Sequence, residues 1–502
     1  MKQILLFGAG KSATVLIEYL LAEAGTGQWE LTVVDANLDL ARSKIGASLH
    51  GRAASFDIHD DSQRARSISS ADLVISMLPP TLHSLVARDC IRFSRHLLTA
   101  SYVDPSIREL EKEIQEKGLL FLCEMGLDPG IDHMSAMKII DRIRGKGGHV
   151  HSFRSHCGGL VAPESDDNPW HYKISWNPRN IVLAGKSGAV YRENQEEIKL
   201  SYAELFAGER TVEVPGWGNF GYYPNRDSLS YTRLYGLEDA ATFVRTTLRH
   251  TDFMKGWKHL IELNMTDEEP LYPTDGKSLA DVFKMHLDKN NFTQWLRDRM
   301  SHDLGASGPL LKQLTRLLEE ESAAREKGID PPTSFLVAGP GGQLTEIGVE
   351  NMKNQAAGLV ASQMEQANLT LRQLSFLGLA DHGTRVDRGL CSAADILQFA
   401  MEKKMSIGPH DRDMIVMLHE IGYSLEGKAS AIKSSLVIKG EDGLRTAMAK
   451  TVGLPLGIAA KLLLRNELNC RGLHIPIIPE IYEPVLAELE KNGVAFSEVE
   501  SN

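Results

Sequence analysis

At 502 residues, with a formal net charge of −11 and 42% hydrophobic against 24% charged side chains, the chain has the composition of ordinary globular domains and no mark of disorder or a fibrous repeat. Its length predicts about two to four domains. The acidic balance excludes a general nucleic-acid binder, which needs a basic footprint to displace counterions from phosphates.

The chain opens on an apolar run, Ile4-Leu5-Leu6-Phe7, that enters Gly8-Ala9-Gly10-Lys11-Ser12-Ala13. Glycines at 8 and 10 allow a tight turn and a close backbone approach to a ligand, and Ala13 is small enough for a following helix to pack on its strand. That helix carries Leu16, Ile17, Leu20 and Leu21 on one face. A second run, Leu31-Thr32-Val33-Val34, closes a βαβ unit and ends on Asp35. Strand, turn, helix and terminal acid together predict a dinucleotide site. Helix-start N–H groups hold the pyrophosphate, and the Asp35 carboxylate takes the ribose hydroxyls. A carboxylate there repels a 2′-phosphate, so the sequence favours NAD. Arg42 and Lys44, close behind, soften that preference and keep NADP open.

The alternation then continues. Short strands are predicted near residues 53–56, 73–78, 96–99 and 119–123, with helices between them, and Pro79-Pro80 ends the second of these runs sharply. The pattern is α/β, an N-terminal Rossmann domain with a doubly wound parallel sheet. Ligands of such sheets lie beyond the carboxyl ends of the strands, which here carry Asp57, Ser76, Ser101 to Asp104, and Glu124 to Gly130. In the last stretch Leu127-Asp128-Pro129-Gly130 forms a polar turn that aims Asp128 at a bound nicotinamide and substrate.

From about residue 150 longer strands are predicted at 151–157, 174–176, 181–183, 189–191 and Thr211–Val214, the pattern of a second α/β domain with a mixed sheet. Loops at 157–164 and 222–228 have the composition of site loops. Residues 237–405 read as a helical insertion, with Phe283, Leu287, Leu296, Leu310, Leu311, Leu314, Leu317 and Leu318 at helical spacing. Gly339-Pro340-Gly341-Gly342 within it is read as a turn, because no Lys-Ser/Thr follows. Strands return at 414–418 and 435–438, and Thr451-Val452-Gly453-Leu454-Pro455 opens an apolar helix. A last helix carries Tyr482, Val485, Leu486 and Leu489 and stops at Gly493. The predicted boundaries are 1–126, with 476–502 packing back on it, then 127–236 with 406–475, and the insertion 237–405.

These motifs occur together in one family. Ser101-Tyr102-Val103, Glu124-Met125-Gly126-Leu127-Asp128-Pro129-Gly130-Ile131-Asp132-His133, Cys157-Gly158-Gly159-Leu160 with Pro163-Glu164, and Tyr223-Pro224-Asn225-Arg226-Asp227-Ser228 resemble blocks of the saccharopine reductase (glutamate-forming saccharopine dehydrogenase) family. So do Thr247-Leu248-Arg249, Arg412-Asp413-Met414, and the runs 448–455 and 479–484, so that the resemblance covers nearly the whole chain. It implies a dimeric oxidoreductase of lysine metabolism that interconverts saccharopine with glutamate and 2-aminoadipate 6-semialdehyde, built from the three domains just described. Its substrate contacts fall on Ser101, Tyr102, Asp128, Cys157, Arg226, Thr247, Leu248 and Arg249. Its cofactor contacts fall around Ser12, Ala13, Asp35, Asp57, Ser76, Val103 and Leu127. The chain departs from the family at His156, where an aromatic residue is common, and at Val161, where proline is usual.

The chemistry fits these residue types. Saccharopine is a secondary amine bearing three carboxylates, and the guanidinium groups of Arg226 and Arg249 each suit a two-point grip on a carboxylate. Asp128 is the candidate for a catalytic base or electrostatic role, and Tyr102 for orienting the amine. Hydride transfer needs no covalent sulfur, so Cys157 is read as a wall of the pocket. No metal is expected. His156 faces away from His149, His151 and Cys157 on an extended strand, and His149 and Cys157 lie about 25 Å apart along it.

Two other readings remain open on sequence alone: a carboxyspermidine-type imine reductase of the same fold, and a non-catalytic NAD-binding regulator. Five widely spaced cysteines with no Cys-x-x-Cys pair predict reduced thiols and a cytoplasmic protein. No membrane partner is expected, since the apolar run 451–460 is bounded by Lys450 and Lys461 and is too short to span.

Overall fold

The computed structural model describes residues 1–298, 334–338, 344–348 and 368–501. It comprises two compact units, Met1–Met254 with Met405–Asn502, and Lys255–Lys404.

In the first unit strands and helices alternate, with two short helices between the fifth and sixth strands: β1 (Lys2–Phe7), α1 (Thr14–Gly27), β2 (Trp29–Val34), α2 (Leu38–Ile45), β3 (Gly51–Ala54), α3 (Asp61–Ser69), β4 (Leu73–Ser76), α4 (His83–Arg92), β5 (His96–Thr99), α5 (Pro105–Arg108), α6 (Glu111–Glu116), β6 (Leu120–Leu122) and α7 (Ile131–Gly145). The strands form a parallel sheet, as the apolar runs predict. Consecutive residues of one strand feed two cores. Ile4, Leu6, Leu31, Leu73 and Ile75 enter the core on one face, and Leu5, Phe7, Val34 and Val74 the core on the other. That is why these strands read as continuous apolar runs instead of alternating ones. Side chains start several helices: Asn37 caps α2, Asp60 caps α3 and Asp104 caps α5.

β1 lies between β2 and β4, which places the reversal of strand order, and with it a crevice, at the glycine turn. The seventh strand of this sheet comes from far along the chain, Gly472–His474 pairing parallel with β6. Helix Ala447–Leu464 also returns here, against α1. A Cβ on Gly453 would lie 2.8 Å from the Leu16 nitrogen, and one on Gly457 2.6 Å from the Tyr19 ring, so two glycines four apart let the helices close. The predicted boundary at 475 is therefore too late. This helix is long and apolar enough to cross a membrane by composition, and here it is a core helix, 83% buried over its apolar window.

The second sheet is mixed and ten-stranded. Its centre is β7 (His149–Val161), flanked by strand Asp413–Leu425, antiparallel, and by strand Thr242–Arg249, parallel. This corrects the expectation that residues from 237 onward are helical insertion; the separate unit begins at Lys255. Two predicted strands are absent as such. Residues 181–183 fall at the end of helix Pro178–Val182, started by the Asn177 side chain and a proline in the first turn. Of 174–176 only Ile174 makes a bridge, to Ser406.

The Cys-Gly-Gly-Leu block has a packing cause. A Cβ on Gly158 would lie 2.6 Å from the Leu248 carbonyl oxygen, and one on Gly159 2.7 Å from Met448 Cε.

The second unit, taken by itself, holds helix Leu279–Lys289, started by a Ser278/Asp281 capping box, and helix Ala393–Lys404. Phe283 and Leu287 are buried there, as their spacing predicts, and Leu296 is half-buried. It also has two short antiparallel strand pairs, Tyr272–Pro273 with Leu390–Cys391 and Ser334–Ala338 with Leu344–Gly348. Leu310, Leu311, Leu314, Leu317, Leu318 and the turn at Gly339 to Gly342 lie outside the described residues.

Candidate active site

The dinucleotide end starts at Gly8, whose φ of +100° and approach to the Met77 carbonyl admit no side chain. Around Gly10 nothing lies within 4 Å of where a Cβ would be, so the turn presents open backbone ahead of Lys11, Ser12 and Ala13. This geometry fits a pyrophosphate. Asp35 is bound into the same turn: Oδ2 accepts from Ala9 N at 2.8 Å and Oδ1 from Asn37 N at 2.9 Å. A carboxylate offers about four acceptor positions, so two remain for ribose hydroxyls. Two cations follow on α2, of which Arg42 is largely exposed. Arg42 lies 3.5 Å from Asp39, and Lys44 donates to Thr14 Oγ1. Lys11 reaches the Ile174 carbonyl at 3.3 Å, and Asp57 accepts from His59 N at 2.9 Å.

The ends of β4 and β5 are joined by a residue to which the sequence reading assigned no role. His83, 1% exposed, shares hydrogen bonds with Ser76 Oγ through Nδ1 at 2.8 Å and with Ser101 Oγ through Nε2 at 2.7 Å. Burial pushes its pKa down to about 4, so the ring is neutral and offers one donor and one acceptor. A predicted cofactor contact and a predicted substrate contact are thereby held by one imidazole.

At the other end of the cleft the groups are charged. Arg245, buried on strand Thr242–Arg249, places Nη2 at 2.6 Å from Asp128 Oδ1 and 2.7 Å from Asp132 Oδ2. Its guanidinium lies over the Tyr231 ring at 4.4 Å. Beside it, Glu124 Oε2 meets His133 Nε2 at 2.9 Å and accepts from Tyr231 Oη at 3.1 Å, and Glu124 Oε1 accepts from Val103 N at 3.2 Å. His133 Nδ1 pairs with Tyr235 Oη. Burial, then the charge of Asp132, raise the Asp128 pKa against the opposing pull of Arg245. For Asp132 burial acts upward too, but His133, Arg245 and the Gly130 N–H outweigh it and hold the carboxyl below its ordinary value. Burial raises Tyr102 and Cys157, which keeps both protonated; a protonated, buried thiol fits the reading of Cys157 as a wall.

Strand Thr242–Arg249 sorts its residues by alternation. Thr246 bonds His156 Nδ1 at 2.7 Å and Leu248 joins the apolar cluster with Leu160 and Val416, on the face away from Arg245. The predicted Leu248 contact is thus not made by its side chain into this cleft. Thr247 pairs in register with Cys157. Arg249, 3% exposed, lies over the rings of Tyr172 and Phe253 at 5.3 and 5.6 Å and gives Nη1 to the Leu248 carbonyl. Its Nε is buried with no partner among the described residues. Arg226, exposed with a φ of +50°, holds its guanidinium 5.2 Å from the Tyr102 ring centre. Leu127 is buried in the core beneath the turn.

Arg245, Asp132, His133, Glu124, Tyr231 and His83 had no role in the sequence reading. One available signal was the parity of Arg245 with Arg249 on a strand.

Among the described residues one group, His171, His250 and Asp252, has metal-ligating side chains close together. The two ring centres lie 3.9 Å apart with their planes inclined at 31°, and His171 Nδ1 pairs with Asp166 at 2.6 Å.

Two family models match this chain: the saccharopine dehydrogenase NADP binding domain over residues 4–122 and the saccharopine dehydrogenase C-terminal domain over residues 126–494. The chain is 31% identical to saccharopine dehydrogenase (NADP(+), L-glutamate-forming) of Saccharomyces cerevisiae over 99% of each protein. It is 30% identical to the mitochondrial alpha-aminoadipic semialdehyde synthase of Mus musculus, of which it spans 47%. The solved apo saccharopine dehydrogenase (L-Glu forming) of Saccharomyces cerevisiae aligns with it over 100% of both chains, with a TM-score of 0.77 at 30% identity.

Proposed function

The chain belongs to the saccharopine dehydrogenase family, and from that premise we infer that it interconverts saccharopine with L-glutamate and 2-aminoadipate 6-semialdehyde in lysine metabolism. The observation that carries this reading to the residues is the grouping of Asp128, Tyr102, Cys157, Arg226 and Arg249. Buried Arg249 with a spare donor, Arg226 over Tyr102, and a carboxylate of raised proton affinity at Asp128 face a substrate that is an amine with three carboxylates.

A nicotinamide dinucleotide, when bound, supplies the hydride acceptor or donor. The turn at Gly8 and Gly10 holds it, with Ser76 and Val103 beyond. Arg249 and Arg226 bind substrate carboxylates and fix the reacting carbon; a bidentate guanidinium grip holds both distance and angle. In the oxidative direction the carbon on the bridging nitrogen loses hydride and becomes an imine. Water then adds to that carbon, Asp128 accepts the proton water loses, and the bridging nitrogen takes up a proton and leaves as the amine of L-glutamate as the C–N bond breaks to give the semialdehyde. Tyr102, kept protonated by burial, donates a hydrogen bond to the amine or imine side.

For the cofactor we propose NAD in preference to NADP, although the family model and the yeast relative are named for NADP. What supports it is Asp35 at the end of β2, a negative charge fixed by two backbone N–H groups where a 2′-phosphate would sit, with Arg42 and Lys44 turned to Asp39 and Thr14. A homodimer and a cytoplasmic location complete the proposal. The resemblance supports the first, and five free cysteines are consistent with the second.

The test is to incubate the purified protein with saccharopine and NAD or NADP and to follow the reduced cofactor by absorbance. Turnover with NAD above that with NADP is expected; no turnover with either overturns the reaction. Reduction of an aldehyde plus polyamine mixture, with glutamate ignored, would move the assignment to a carboxyspermidine-type reductase. Asp35→Ala should weaken NAD far more than NADP, and equal losses would show that the acid does not read the ribose.

A further inference from the structure

We propose that Asp132 is a positioning residue for this reaction: acting through Arg245, it holds Asp128 toward the cleft and leaves Asp128 as the carboxylate that takes the proton. The inference rests on the reading of Asp128 as the base. It starts from a stoichiometry. One guanidinium nitrogen, Arg245 Nη2, stands between two carboxylates, at 2.6 Å from Asp128 and 2.7 Å from Asp132. A single buried positive charge fully compensates only one of them.

The surroundings decide which. Asp132 sits in the first turn of α7, where the helix dipole favours an anion. Its Oδ1 accepts from Gly130 N at 2.6 Å, and His133 lies 3.6 Å from its Oδ2. Asp128 lies before that helix. From the other elements it faces Tyr102 after β5 and Cys157 on β7, with Arg226 over the Tyr102 ring and Arg249 near Cys157. Tyr231, Tyr235 and His419 of strand Asp413–Leu425 lie near Asp132. Asp132 therefore keeps the negative charge, and the proton, when one is bound, resides on Asp128.

The same contacts fix geometry. Gly130 has a φ of +146°, and a Cβ there would lie 2.1 Å from the Gly126 carbonyl oxygen. The Gly130 N–H to Asp132 bond thus ties the turn carrying Asp128 to the first turn of α7, and Arg245 ties both to the second sheet.

The decisive experiment compares pH profiles of kcat/KM for saccharopine oxidation by the full-length enzyme. A base must be deprotonated, so activity rises with pH through the Asp128 pKa. In the wild type this acid limb should lie above the ordinary carboxylate range. Asp132→Asn removes the competing charge, gives Arg245 wholly to Asp128, and should move the limb down by about 1 pH unit. Arg245→Lys keeps a charge but draws it back from both oxygens, and should move the limb up; it decides the matter if Asp132→Asn does not fold. Asp128→Asn should remove the limb.

An infrared titration of the protonated carboxyl stretch, wild type against Asp132→Asn, reads the same shift without turnover. Unmoved limbs and unmoved infrared titrations overturn the proposal. Absence of turnover with a shifted infrared titration would overturn the saccharopine reading while leaving the Asp132 assignment standing.

Discussion

The two ends of the cleft are organised by opposite means. At the parallel sheet a neutral imidazole, His83, links Ser76 and Ser101. At the mixed sheet a guanidinium, Arg245, links Asp128 and Asp132, with the Glu124–His133 pair alongside. Both arrangements are buried, and both fix groups expected to touch ligands. They differ in what they do to protons. A neutral relay orients hydroxyls without altering the charge of the site, and burial makes that neutrality secure. A charged bridge both orients and decides which group is ionised. The hydride half of the reaction needs only placement; the hydrolytic half needs a proton acceptor, and the charged network stands on that side.

The charged end depends most heavily on Arg245. Arg245→Ala leaves two buried carboxylates facing each other, and removing one partner of a buried pair costs about 3–5 kcal/mol. Thermal or urea unfolding should show that loss, with activity lost as well. A loss under about 1 kcal/mol, the size seen for exposed pairs, would mean that water reaches the bridge and that it is no buried network.

That bridge also marks where the sequence stops being legible. The parallel sheet was readable because its signals are local: an apolar run, two glycines, a helical face and an acid within the first 35 positions. Arg245 pairs with residues 113 and 117 positions away, and no local pattern records such a partner. Its strand was also hidden. Thr242–Arg249 carries arginines at 245 and 249 on the cleft face, so a strand buried on nearly every residue did not read as apolar. Residues 181–183 show the opposite failure, where an apolar β-favouring triplet was overridden by the Asn177-Pro178 helix start. The return of 447–474 to the first sheet was unreadable because the close packing of Gly453 and Gly457 on α1 is a property of two distant helices.

The next effect in size concerns affinity. Arg249 is buried among aromatic rings with one donor unused, so Arg249→Lys keeps the charge and loses the fork. KM for saccharopine should rise about 10–100-fold, the range for losing a charged two-point hydrogen bond, with the pH profile unmoved. An unchanged KM would assign Arg249 to structure.

The neutral end responds least to substitution. His83→Phe fills the volume of the ring and leaves the Ser76 and Ser101 hydroxyls unpaired, a penalty of about 1–3 kcal/mol that the local packing shares. Because His83 touches one residue at each ligand, KM for the dinucleotide and KM for saccharopine should rise together, each by about tenfold, with kcat/KM falling accordingly. His83→Gln, which keeps a donor and an acceptor, should recover part of the loss. Since the imidazole is neutral well above its depressed pKa, the acid limb should stay where the wild type has it, whereas Asp132→Asn moves that limb. If His83→Phe shifted the limb as Asp132→Asn does, the two ends would share one titrating network, and the division between a neutral placing end and a charged proton-handling end would fall.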